Sequence, residues 1–158
     1  MLSDPRLITP GPFIAQTPYE AEHPDALALY CSDGRFTEAV EELFAHLGYP
    51  RLDTLTLPGG PGLLNSWTSN AATAAYAVRA SAFLIRAHHI RHVVLIAHEG
   101  CGYYRDRYRR SAQEIPSRQL DDLKAAAREL AIESPRLETS LYFASIAGAR
   151  VVFSPVAR

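Results

Sequence analysis

The sequence predicts an α/β fold of three layers, with helices on both faces of a central, mostly parallel sheet of strand order 2-1-3, and C-terminal strands added beside it. Three observations carry this expectation. Short apolar runs without polar alternation, at 26–30 and 92–97, suit strands covered on both faces. The segments joining the strands have helical periodicity and are too long for hairpins, so they imply right-handed crossovers. Two of the apolar runs lead directly into sulfur and imidazole side chains, Cys31 and His98/Cys101, at the carboxyl edge where open parallel sheets gather ligands.

Taken in order, residues 1–24 contain Pro5, Pro10, Pro12, Pro18 and Pro24, which oppose a long helix and favour extended chain. This stretch reads as an extended arm lying on the body of the protein or on a partner subunit, and 25–158 as one α/β domain. The first strand spans 26–30, and Cys31-Ser32-Asp33-Gly34-Arg35 forms the loop after it. Over 37–47, Val40, Leu43, Phe44 and Leu47 share a helical face, Glu38, Glu41 and Glu42 suit the amino end, and Gly48 suits a stop. A second strand covers 52–57. The loop Pro58-Gly59-Gly60-Pro61-Gly62 follows, where backbone can approach a ligand closely; Gly59 and Gly60, with Gly102, are the expected backbone of a substrate pocket.

Ser69 or Asn70 can cap the next helix, which runs to about residue 88 and whose many alanines permit close packing. The third strand is 92–97, and a short arginine-rich helix follows Gly102. Pro116 opens a further helix with Leu120, Leu123, Ala127 and Leu130 on one side, ended by Ser134-Pro135. Two strands, 141–146 and 150–156, complete the chain, joined at Ala147-Gly148. With the first strand between the second and third, the switch point falls between strands one and three, where Cys31, His98 and Cys101 converge.

At 158 residues and 47% hydrophobic content, the chain can bury a substantial core. Its formal charge of -1 and pI near 6.6 give no reason to expect nucleic acid or an acidic membrane surface as partner, which leaves a small molecule. No apolar stretch is long enough to span a bilayer. Two cysteines cannot make a disulfide framework, and Met1-Leu2-Ser3-Asp4-Pro5 is not a basic region leading into an apolar one. The expectation is a cytoplasmic protein whose thiols are free for metal.

Two thiolates and an imidazole are zinc-type ligands, and three protein ligands leave a fourth position for water or substrate. Sulfur donors favour zinc over magnesium or calcium and leave iron and cobalt open. Cys31-Ser32-Asp33-Gly34-Arg35 resembles the Cys-x-Asp-x-Arg motif of the β-class carbonic anhydrases, and His98-Glu99-Gly100-Cys101-Gly102 resembles that family's His-x-x-Cys-Gly motif. The resemblance covers residues 26–102 and, more loosely, the terminal hairpin. It implies one Zn2+ per chain held by Cys31, His98 and Cys101, and hydration of carbon dioxide to bicarbonate by attack of zinc-bound hydroxide. It also implies a homodimer or higher homo-oligomer. Asp33 and Arg35 would be the catalytic pair, with Asp33 either held by Arg35 or swung onto the metal as a fourth ligand.

The chain departs from the family pattern at Thr56-Leu57-Pro58-Gly59-Gly60, where the family carries an Arg-Asn-Ala-Gly-Asn-like segment, and at Ala97, where the family has glycine. These changes spare the metal ligands and leave the substrate open: carbonyl sulfide or carbon disulfide is an alternative, as is a zinc-binding assembly or regulatory domain without activity.

Other readings are weaker. Cys101 and Arg107 fit a Cys-x5-Arg phosphatase loop, but two tyrosines and an aspartate lie between them. Gly59, Gly60 and Gly62 lack the full dinucleotide-site spacing. His88 and His92 have helical metal spacing, yet a helix end falls between them. Arg105, Arg107, Arg109 and Arg110 read first as a solvated helical face.

Overall fold

The computed structural model describes residues 11–109 and 111–158. Within them the sheet has five strands: β1 (Ala26–Cys31), β2 (Asp53–Leu57), β3 (His92–His98), β4 (Glu138–Ala147) and β5 (Arg150–Pro155). Their spatial order is β2-β1-β3-β4-β5. The first four run parallel, and β5 returns antiparallel along β4. Both the expected 2-1-3 order and the mostly parallel sheet are observed.

Four helices connect the strands: α1 (Thr37–His46), α2 (Ala71–Ala87), α3 (Gly102–Arg107) and α4 (Ile115–Glu133). All six residues of β1 are buried, which explains why its sequence shows no polar alternation. Successive residues of the central strands feed opposite cores. Leu27, Leu29, Val93 and Leu95 pack with Ala77 and Ile85 of α2 and Leu123 and Leu130 of α4. Ala26, Ala28, Val94 and Ile96 pack with Val40, Leu43 and Phe44 of α1. The sheet thus has α2 and α4 on one face and α1 on the other.

Local chemistry sets the ends of these elements. Asn70 accepts the Thr73 amide at 2.9 Å and is the cap of α2. His88 closes the same helix, and its Nδ1 lies 2.5 Å from an Asp53 carboxylate oxygen on β2. His92 lies on β3, between the Tyr49 hydroxyl at 3.1 Å and the Ser140 hydroxyl at 2.8 Å. The two histidines therefore have separate surroundings and share no ligand position.

β4 begins at Glu138, three residues before the expected 141, because the polar run Glu138-Thr139-Ser140 pairs with His92-Val93-Val94. Residues 11–24 form neither helix nor strand; Arg51 binds Glu20 and the Glu22 carbonyl, and the His23 ring stacks 3.9 Å from His88. The rest of the expected arm, residues 1–10, lies outside the described residues.

Candidate metal centre

β1 and β3 are neighbours, so their carboxyl ends bring together residues distant in sequence. Cys31 ends β1, His98 ends β3, and Cys101 leads into α3. Their sulfur and ring-nitrogen atoms lie within 4.8 Å of one another, and the two sulfurs are 3.8 Å apart. All three side chains are buried.

The imidazole is oriented by its own backbone. His98 Nδ1 donates to the Glu99 carbonyl at 2.8 Å, which leaves the lone pair on Nε2. Nε2 is buried and has no hydrogen-bond partner. A buried ring nitrogen without a partner carries a desolvation cost that a metal ion can offset. Phe36 braces the ring, centroid to centroid 4.3 Å. This donor set of two sulfurs and one free imidazole nitrogen fits a tetrahedral soft cation with one position left over.

The sulfurs are not equivalent. A hydrogen bond from Cys101 holds the Cys31 thiol well below its ordinary pKa, against the cost of burial, and the Gly59 and Asp33 amides add to the effect. The same bond, with burial, pushes Cys101 up. Beside them, Asp33 receives the Arg35 amide at 3.2 Å and the guanidinium at 2.9 and 2.5 Å. The Arg35 guanidinium holds the Asp33 carboxyl down to about 2, so it is a carboxylate throughout the neutral range. Asp33 also caps the short 3-10 turn Gly34–Phe36, which fixes its direction relative to Cys31.

The glycine loop packs against the chain itself. A Cβ on Gly60 would lie 2.9 Å from the Cys31 backbone nitrogen, and one on Gly59 would lie 2.6 Å from the Tyr103 ring. Gly60 opens a 3-10 turn, Gly60–Leu64, where a loop was expected. Gly102 has open space around the Cβ position and begins α3.

No family model matches the chain, and no curated protein sequence matches it either. Solved structures do match. β-Carbonic anhydrase isoform I of Trichomonas vaginalis superposes with a TM-score of 0.56 over 92% of this chain and 90% of its own, at 12% identity. The chain has the β-carbonic anhydrase fold. CafA of Aspergillus fumigatus, a β-carbonic anhydrase, gives 0.53 over 87% and 78% at 15% identity. A structure described as a tetrameric β-carbonic anhydrase of Sordaria macrospora gives 0.52 over 86% and 84% at 16% identity.

Within the β-carbonic anhydrase fold, the residues of competing readings face elsewhere. Arg107 donates to the Ser69 carbonyl at 3.0 Å and sits at the far end of α3, so it makes no phosphate cradle with Cys101. Arg109 pairs with Asp106, and Arg110 lies outside the described residues. The sequence reading missed two buried polar residues of α4, Gln119 and Asp122, that reach toward the centre. Each directly precedes a leucine of the inward face, Leu120 and Leu123, but no periodicity in the sequence separates them from solvated helical residues.

Proposed function

We propose that this chain is a zinc enzyme that hydrates carbon dioxide to bicarbonate. The observation that carries the reading is the buried, partnerless Nε2 of His98 beside the sulfurs of Cys31 and Cys101 in a β-carbonic anhydrase fold. Cys31, His98 and Cys101 would hold one Zn2+, with the two thiolates neutralising its charge. When bound, the ion would supply the Lewis acidity that makes water a nucleophile near neutral pH.

The chain's own groups do the rest. The Glu99 carbonyl holds the His98 proton on Nδ1 and so keeps Nε2 available as a donor. The Asp33 carboxylate, clamped by Arg35, accepts a hydrogen bond from the attacking water and orients its lone pair. Asp33 leaving Arg35 for the metal would close the site. The Gly59 amide faces the Cys31 sulfur, and Gly59, Gly60 and Gly102 would form the backbone wall of the substrate pocket.

A second reading, action on carbonyl sulfide or carbon disulfide, is favoured by the turn Gly60–Leu64, which offers no polar side chain. We also read the chain as a homo-oligomer, since Trp67, Tyr76, Phe83 and Ile132 are more than half exposed and a neighbour in fold is described as tetrameric. No described helix is long and apolar enough to cross a membrane.

The test is stopped-flow carbon dioxide hydration with quantified zinc, at one pH above and one below neutrality. Zinc-dependent turnover that disappears in Cys101→Ala supports the proposal. A zinc-loaded protein inert toward carbon dioxide but active on a sulfur analogue would replace the substrate, and a metal-free active protein would overturn the mechanism.

A further inference from the structure

α4 carries two polar side chains as deeply buried as its leucines. Gln119 and Asp122 are each 2% exposed, and they stand one turn apart on the face that meets the sheet. Gln119 Nε2 donates to the main-chain carbonyl of His98 at 2.9 Å. Asp122 receives four neutral donors. Asn65 Nδ2 at 3.1 Å and Trp67 Nε1 at 2.8 Å reach Oδ1, while Thr68 Oγ1 at 2.7 Å and the Tyr104 hydroxyl reach Oδ2.

Tyr104 is the link to the metal centre. It lies three residues after Cys101, is 1% exposed, and packs with Cys31, Cys101 and Ile115. It stands in the first turn of α3, the helix whose amino-terminal cap is Cys101. On the other side there is no slack, because a Cβ on Gly62 would lie 2.0 Å from the Tyr104 hydroxyl oxygen. A movement of the Tyr104 ring is therefore a movement of the helical turn that begins at Cys101.

We propose that Asp122 and Gln119 are positioning residues of the metal centre: Asp122 fixes α3 and Cys101 through the Tyr104 hydroxyl, and Gln119 fixes the backbone of His98. The inference rests on the metal-centre reading above. An aliphatic side chain would fill this position at a lower desolvation cost. What the carboxylate adds is direction: it gathers donors from the 65–68 segment and from α3 onto one pair of oxygens. Outer groups of this kind orient the ligands and tune the affinity of the site.

The experiment compares wild type with Tyr104→Phe, Asp122→Asn, the double variant and Gln119→Met. Two quantities are read on each folded protein: zinc affinity by chelator competition, and the thiolate-to-metal absorption bands of the cobalt-loaded form. Tyr104→Phe removes one hydroxyl and leaves Asp122 three donors, so it is the variant that keeps its fold if Asp122→Asn does not. Zinc affinity is expected to fall about 10–100-fold in Asp122→Asn and in the same direction, by less, in Tyr104→Phe and Gln119→Met. The cobalt bands are expected to shift.

Because both residues act through one bond, the double variant should bind zinc as Asp122→Asn does, to within about twofold. Folded Tyr104→Phe and Gln119→Met proteins matching wild type in both affinity and cobalt spectrum would overturn the inference while leaving the metal centre standing. A wild type that takes up no zinc would remove the metal-centre reading first.

Discussion

Replacing Gly60 by alanine isolates one contact of the metal loop. Gly60 has φ +56°, and its Cβ would lie 2.9 Å from the Cys31 nitrogen, 3.0 Å from the Tyr30 carbonyl carbon and 3.4 Å from the Ile96 oxygen. Two costs follow. The left-handed backbone alone disfavours an L-residue by about 1–2 kcal/mol. The overlap falls on the backbone of β1, which is buried and paired on both sides and cannot swing away as a side-chain tip could. By analogy with overpacked cores, that adds about 1–3 kcal/mol.

Gly148 supplies the control, since it has φ +61° and nothing within 4 Å of its Cβ position. Gly148→Ala should show the backbone cost only, so Gly60→Ala should be the more destabilised by about 1–3 kcal/mol. The assay is urea unfolding of both variants and wild type after chelation, so that metal binding does not enter. Equal destabilisation within about 0.5 kcal/mol, the scatter of ordinary surface substitutions, would refute the contact between the Gly60 turn and β1.

The remaining predictions concern the metal, the acid pair and a half-buried histidine. Stripping zinc should lower the melting temperature by roughly 5–10 °C relative to protein held at about 100 times the dissociation constant in free zinc, read by calorimetry; an unchanged melt would contradict a site formed only in the folded chain. Asp33→Asn should cut carbon dioxide hydration by about 10–100-fold with zinc content unchanged, and loss of zinc together with activity would instead place Asp33 among the ligands. Burial lowers the His92 pKa below 6.5, so the unfolded chain binds the proton more readily than the folded one. Its contribution to stability is intact above about pH 6.5 and lost as the pH falls below it. Urea midpoints at pH 7.5 and 5.5 should therefore differ less in His92→Gln than in wild type, and an unaltered difference would reject this assignment.

The parts of the fold legible in sequence are those governed by burial on two faces. The runs at 26–30 and 92–97 lack polar alternation because both their faces are covered, and that same coverage forces the crossovers that set the 2-1-3 order. The convergence of Cys31, His98 and Cys101 followed from that order. Polar burial was not legible. Asp122 looks like any solvated helical carboxylate until Asn65, Trp67, Thr68 and Tyr104 are brought to it, and no periodicity encodes such a meeting. The Gly60–Leu64 turn was hidden for a related reason. Gly59 and Gly60 carry no helical or strand period, and the close approach they allow to Tyr103 and to the Cys31 backbone exists only once the strands are assembled.

The spacing of the three metal-facing residues also bears on folding kinetics. His98 and Cys101 are three residues apart and are neighbours even in an unfolded chain, whereas Cys31 is 70 residues from Cys101 and joins them only after β1 has seated against β3. An unfolded chain can thus offer a metal two local ligands, and the third arrives with the long-range pairing that low-contact-order segments do not wait for. Added zinc should leave the refolding rate nearly unchanged and slow unfolding, because the complete set of ligands exists only on the native side of the barrier. A metal ion held by these three residues would act as a brake on departure from the native state.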